Sequence, residues 1–257
     1  MIVESLEPPK NWDITGVNEK TTSPEIPSHI KLAKPSDGTL SNELYKHLKK
    51  EIITCRLQPG EMIFERNIRR KYGVSRTPVR EALKTLIQEG LVESVPGTCY
   101  LVAPITTKDV VELFDMRRIL EEAAALRAAE RVTEEQLEAL ERLMGKPHSL
   151  DDEESLIRWY ETNTEFHVSI AKVSENDRLV QALRGVLEDI SRVYLLDLQL
   201  HTHTAELVET HGKILAALRQ RDGRSAAELT LVDIDKSERL VQQLLSSSGS
   251  AGIGLRK

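Results

Sequence analysis

The sequence predicts a mainly α fold in two parts, a three-helix module closed by a small β-hairpin and then an all-α antiparallel helical bundle. Three observations predict it. Apolar residues recur at helical spacing over most of the chain from Leu40 onward. Two short β-like runs flank Pro96-Gly97, a hairpin signature. The charge also changes sign along the chain: residues 1–38 carry 4 basic and 6 acidic residues, 39–104 carry 11 and 7, and 105–257 carry 20 and 28, giving −2, +4 and −8 within a total of −6. A basic module joined to an acidic one suits a nucleic-acid binder with a separate control domain.

Each element follows in order. Residues 1–38 hold five prolines and no sustained period, so an extended tail is expected. Leu44, Leu48, Ile52 and Ile53 mark a first helix from Leu40 that ends before the Pro59-Gly60 turn. A second runs from about Glu65 to Tyr72 and stops at Gly73. Ser75 is placed to cap a third, carrying Val79, Leu83, Leu86 and Ile87 and closed by Gly90. Leu91–Val95 and Thr98–Val102 then form the hairpin, so residues 39–104 read as a winged helix-turn-helix with a small β-hairpin wing. Six further helices follow over 105–248: about Lys108 to Arg131, Thr133 to Met144, Asp152 to Val173, Asp177 to Leu200, Ala205 to Arg221 and Ser225 to Ser246. Thr133 with Gln136 has the spacing of a capping box. Residues 249–257 are expected to be a flexible C-terminus.

Composition excludes several classes. The 257 residues include 40% hydrophobic side chains, enough for packed cores, while two cysteines, Cys55 and Cys99, supply neither a disulfide framework nor a thiolate zinc finger. Both are expected to be plain packing or surface thiols. No apolar run is long enough for a membrane span and the start lacks a signal peptide pattern, so a cytoplasmic protein with no membrane partner is expected.

Arg66, Arg69, Arg70, Lys71, Arg76 and Arg80 place six cations in fifteen residues with no acid among them, which suits phosphates. Gly73 permits the tight turn, and Pro78 fits the first turn of the next helix, where no amide donor is lost. Arg76 and Arg80, four apart, project from one side towards a major groove. A merely solvated basic surface is the plainer alternative.

Pro59-Gly60-Glu61, Val74-Ser-Arg-Thr-Pro-Val-Arg-Glu-Ala-Leu83 and Glu89-Gly-Leu-Val92 together resemble the GntR family of bacterial transcription regulators, over Leu40 to about Val102. The resemblance implies that Arg66, Arg76, Thr77 and Arg80 contact double-stranded operator DNA, with Ser75 on a phosphate and Gly97 at a wing tip approaching the minor groove. Ile68-Arg-Arg-Lys-Tyr72 departs from the family in being more basic, which implies extra phosphate contacts and a steeper salt dependence.

In the bundle, Leu156, Tyr160, Asn163, His167 and Ile170 share one stripe, Leu229, Asp233, Leu240 and Leu244 another, and His211 stands beside Ile214, Leu215 and Leu218. A carboxylate on an apolar face needs a cation or a metal. Asn163, His167, His211 and Asp233, from three helices, could converge on a divalent ion, although an inward histidine taken alone is more often a satisfied core residue. Arg117 and Glu121 form an i, i+4 pair, either a plain salt bridge or an inward fork able to clamp a carboxylate. Arg192 and Tyr194 are further lining candidates, and His201 and His203 are expected in a polar loop.

Met116-Arg-Arg-Ile-Leu-Glu121, Asn163-Thr-Glu-Phe-His167, Ser174-Glu-Asn176 and His211-Gly-Lys-Ile-Leu-Ala-Ala-Leu218 resemble the FCD effector domain of the FadR subfamily, over Ile105 to about Leu245. Many such domains bind a metal through an Asp and two further histidines beside the Phe-His histidine's position. Here Asn163 stands at the Asp position and Asp233 at the last His position. The resemblance implies a divalent ion, with zinc, nickel or manganese as candidates, and a small carboxylate metabolite as effector. The expected protein is a non-enzymatic, dimeric regulator of a palindromic operator, read as a repressor. The rivals are a metal-dependent enzyme using the Asn/His/His/Asp set and a DNA-binding regulator with no effector.

Overall fold

The computed structural model describes residues 39–96, 99–144, 153–196, 204–247 and 255–256. The expected tail, Gly97, His201, His203 and most of the expected flexible C-terminus lie outside the described residues.

The N-terminal module is built as its periodicity dictates. Helix α1 (Leu40–Ile53) starts where the Thr39 hydroxyl accepts from the Asn42 amide and buries Leu44, Leu48 and Ile52. Strand β1 (Met62–Phe64), α2 (Glu65–Tyr72) and α3 (Arg76–Gln88) follow, and then β2 (Val92–Val95) and β3 (Cys99–Val102). Leu44, Leu48, Ile52, Val79, Leu83 and Leu86 form the centre of one apolar core. The sheet is larger than expected. β1 pairs antiparallel with β3, in the order β1-β3-β2, so the wing has three strands where a two-stranded hairpin was expected. A three-residue strand is too short to show alternation, and its partner is distant in sequence, so no local signal marks it.

The second part contains α4 (Thr107–Arg131), α5 (Glu134–Met144), α6 (Glu153–Val173), α7 (Asp177–Leu195), α8 (Thr204–Arg219) and α9 (Gly223–Ser247). Thr106 and Asp109 close a reciprocal capping box on α4. The predicted box on α5 is present too: the Thr133 amide donates to Gln136 Oε1 at 2.9 Å, and the Gln136 amide to Thr133 Oγ1 at 3.2 Å. Helix α4 lies against α6, α7, α8 and α9. Its buried Ala124, Ala125, Ala128 and Ala129 let neighbours approach closely. Gly223 marks one such approach, because a Cβ there would meet Ala129 Cβ and the Leu126 carbonyl at 3.3 Å.

The two parts meet where α1 lies along α7. Lys49 pairs with Glu188 and Lys50 with Glu161, both at 3.0 Å. The Cys55 thiol donates to the Arg192 carbonyl at 3.3 Å, and Arg192 Nη2 donates to the Ala103 carbonyl at 2.7 Å. A two-residue strand β4 (Ile105–Thr106) pairs in parallel with β5 (Leu255–Arg256). No helix among the described residues is long and apolar enough to cross a membrane.

Candidate functional site

Two charged constellations stand out, one on the winged module and one inside the bundle. On the module, Gly73 ends α2 with φ +65°, a left-handed conformation open to glycine without strain, and this sets the angle between α2 and α3. Ser75 occupies the N-cap position of α3, but its hydroxyl makes no capping bond and is exposed, as are Arg76, Thr77 and Arg80. The first turn of α3 therefore presents free amides, a hydroxyl and two guanidinium groups on one side.

Both arginines are held by a residue that the sequence reading missed. Glu65, at the start of α2 and only 4% exposed, accepts from Arg76 Nε at 2.7 Å, from Arg80 Nε at 2.8 Å and from the Tyr100 hydroxyl at 3.1 Å. Burial pushes its carboxyl up, but the bonds from Arg80, Arg76 and Tyr100 outweigh that and hold it below the usual range. A signal existed: Glu65, Ile68 and Tyr72 share the inward stripe of α2. Of the other cations, Arg66 lies 5.4 Å over the Phe64 ring, while Lys71 is paired with Glu51 and sits 5.3 Å over Tyr72. Arg69 and Arg70 are exposed.

In the bundle, His167, His211 and Asp233 arrive from α6, α8 and α9, all buried, with one ligating atom of each lying within 4.8 Å of the others. His211 stacks on Phe166 at 4.3 Å and meets the His167 ring edge-on at 5.0 Å. Its Nε2 stands 3.4 Å from Asp233 Oδ1, too poorly aligned for a hydrogen bond, and its Nδ1 has no partner. Asn163, one turn before His167, keeps a buried Oδ1 that no donor reaches.

Helix α4 supplies the remaining charges. Arg117 is 1% exposed; its Nε donates to Glu121 Oε1 at 2.5 Å, while its Nη2 lies 3.2 Å from His167 Nε2 and 3.3 Å from Asp233 Oδ2. His167 Nδ1 is 2.7 Å from Glu121 Oε2, close but bent. Burial works against every charge here. Even so, Arg117 and His167 hold Glu121 below the usual carboxylate range, and His211, His167 and Arg117 hold Asp233 down to about 2. Burial dominates at His211 and lowers it.

Arg117 therefore makes the i, i+4 pair and points inward, with its fork engaged by the protein's own groups. Tyr194 comes to the same region, stacked on Tyr160 at 5.0 Å, and burial beside Asp233 and Glu121 pushes its hydroxyl up to about 12 despite Arg117. Arg192 does not join it. Its guanidinium reaches Ala103 and, at 3.2 Å, Asp189. Residues two apart on a helix point to different sides, so Tyr194 and Arg192 cannot line one cavity, which corrects the sequence reading.

Both parts of the chain are similar to known proteins. The family model of bacterial regulatory proteins of the gntR family matches residues 40–102, and the FCD domain model matches residues 112–236. The HTH-type transcriptional regulator YdhC of Bacillus subtilis (strain 168) is 28% identical over 206 residues, covering 79% of this chain and 90% of that protein. The HTH-type transcriptional repressor RspR of Escherichia coli (strain K12) is 26% identical over 207 residues, covering 79% and 91%. Among solved structures, E. coli McbR/YncC superposes with a TM-score of 0.71 at 22% identity, covering 80% of this chain and 99% of that one. A GntR transcriptional regulator from Rhodococcus sp. RHA1 superposes with a TM-score of 0.66 at 21% identity, covering 79% and 97%. With a reading head and a helical domain that each match their own family model, the chain belongs to the GntR family of transcriptional regulators, in its FCD-bearing branch, and is a DNA-binding regulator, not an enzyme.

Proposed function

We propose that the protein is a cytoplasmic, homodimeric repressor that binds a palindromic operator and releases it when its helical domain takes up a divalent metal ion and a small carboxylate metabolite. The observation that carries this reading is the meeting of His167, His211 and Asp233 inside the bundle. Two imidazoles and a carboxylate are a donor set that zinc, nickel or manganese accepts. The orphaned Asn163 Oδ1 offers a fourth ligand atom, and the Glu121 carboxylate beside His167 Nδ1 is the kind of outer partner that orients a metal-binding imidazole. The residues fit the ion. Bound there, it would supply an electrophilic centre with positions open to a carboxylate.

Operator contacts are assigned to Arg66, Ser75, Arg76, Thr77, Arg80 and, at the wing tip, Gly97. The exposed Met116, Ile119 and Leu126 on α4, with Val232 on α9, support a subunit interface on that side. The test combines elemental analysis, chelator-dependent melting of wild type against His167→Ala and His211→Ala, and DNA binding with and without carboxylates. Protein that carries no metal, takes none up and melts alike in all three forms sinks the metal part. The engagement of Arg117 by Glu121 and Asp233 favours a second reading, a regulator without an effector. Operator affinity indifferent to every carboxylate would select it.

A further inference from the structure

The position of Arg117 bears on how the site takes up its ligands. Nη2 donates to Asp233 Oδ2 at 3.3 Å and stands 3.2 Å from His167 Nε2. These atoms belong to the same carboxylate and imidazole that are candidates to hold the metal. The guanidinium is unevenly held: its Nε bond to Glu121 is short, at 2.5 Å, whereas its Nη2 contacts are long. It is anchored at one end and loose at the end that occupies the ligands.

We propose that Arg117 is an exchangeable internal cation. In the metal-free protein its Nη2 occupies the place of the ion, and metal uptake turns that end away while Nε stays on Glu121. The inference rests on the metal reading above and adds the residue that governs it. The charge balance supports it. With neutral imidazoles, the buried Arg117, Glu121 and Asp233 leave one net negative charge. A divalent ion changes this to one net positive charge, costly in a site from which water is excluded, and one monocarboxylate then restores neutrality. Metal and carboxylate should therefore enter together, the carboxylate meeting both the ion and the freed Nη2 end of Arg117. Arg117 sets the threshold: it stabilises the empty site, opposes an ion alone, and favours an ion accompanied by an anion.

The experiment uses the full chain, stripped by a chelator and titrated calorimetrically with zinc ion, without and with excess acetate as the carboxylate probe. Melting is followed in parallel. Arg117→Gln should bind zinc alone at least tenfold more tightly than wild type, melt lower than wild type when metal-free, and recover on adding zinc. Acetate should tighten zinc binding to wild type several-fold and leave Arg117→Gln unchanged. A folded Arg117→Gln that binds zinc no more tightly than wild type overturns the proposal. If Arg117→Gln folds only with zinc, the ion has replaced the guanidinium and the proposal stands. If it folds in neither state, Arg117→Lys decides, because a cation without the fork should bind zinc more tightly than wild type, and equal or weaker binding refutes the idea. Zinc taken up by none of the three proteins is a separate result: the metal reading fails, and the role of Arg117 falls with it.

Discussion

The winged module and the bundle each contain a carboxylate–guanidinium hub, and the two have opposite stoichiometry. Glu65 holds two arginines, each about half exposed, and leaves one net positive charge facing outward. Arg117 lies between two carboxylates, all almost fully buried, and leaves one net negative charge facing inward. The first arrangement suits a polyanion that arrives from solvent, the second a cation that enters the core. Burial sets the energetic weight of each: exposed pairs contribute little to stability and mainly orient their members, whereas breaking a buried set leaves an uncompensated charge.

The largest expected effect is on that asymmetry in stability. Glu121→Ala removes the short partner of Arg117 and the carboxylate beside His167, and should lower the unfolding free energy by about 3–5 kcal/mol. Glu65→Ala should lower it by less than about a third of that, because both of its arginines remain hydrated. Chemical denaturation of the two variants side by side measures this, and equal losses would break the comparison.

The next effect is on DNA. Arg80→Ala should weaken operator binding roughly ten- to hundredfold and relax base preference, while leaving scrambled DNA nearly unchanged. Fluorescence anisotropy on both DNAs checks it, and equal losses on the two would exclude base reading by Arg80. Glu65→Gln removes the countercharge and the aim of Arg76 and Arg80 together. The ratio of specific to non-specific affinity should fall by roughly tenfold, and the logarithmic salt slope should steepen by about one. A salt series on both DNAs gives the two quantities at once.

The smallest effect is on acid stability. Because the folded Glu65 carboxyl titrates below its ordinary 4.5, its contribution is fully present above that pH and is lost as pH falls through the lowered folded value. The stability difference between wild type and Glu65→Gln should therefore shrink as pH falls below 4.5 and through the lowered folded value. A difference that grows on acidification would contradict the structure around Glu65.

Much of this was legible locally. Helical stripes named His167, His211 and Asp233 before any helix was packed, because an inward polar residue interrupts an apolar face whatever its partner. Turn and cap chemistry likewise named Gly73 and the Thr133–Gln136 box. Long-range partners were not legible. The hold of Glu65 on Arg76 and Arg80, the pairing of β1 with β3, and the reach of Arg117 to Asp233 depend on how elements pack, and periodicity reports only which face is apolar. The Arg192 guanidinium turns instead to Ala103 and Asp189, partners that no helical stripe reveals.

The junction between reading head and bundle has a consequence for divergence. Its Cys55 and Arg192 bonds both end on main-chain carbonyls, those of Arg192 and Ala103. A carbonyl acceptor survives any substitution at its own position, so the bond itself depends on the Arg192 guanidinium, while the buried side chain at 103 is limited by size and not by hydrogen bonding. Substitutions on the exposed start of α3 or around the buried histidines can then change either part while this main-chain anchoring between them is kept.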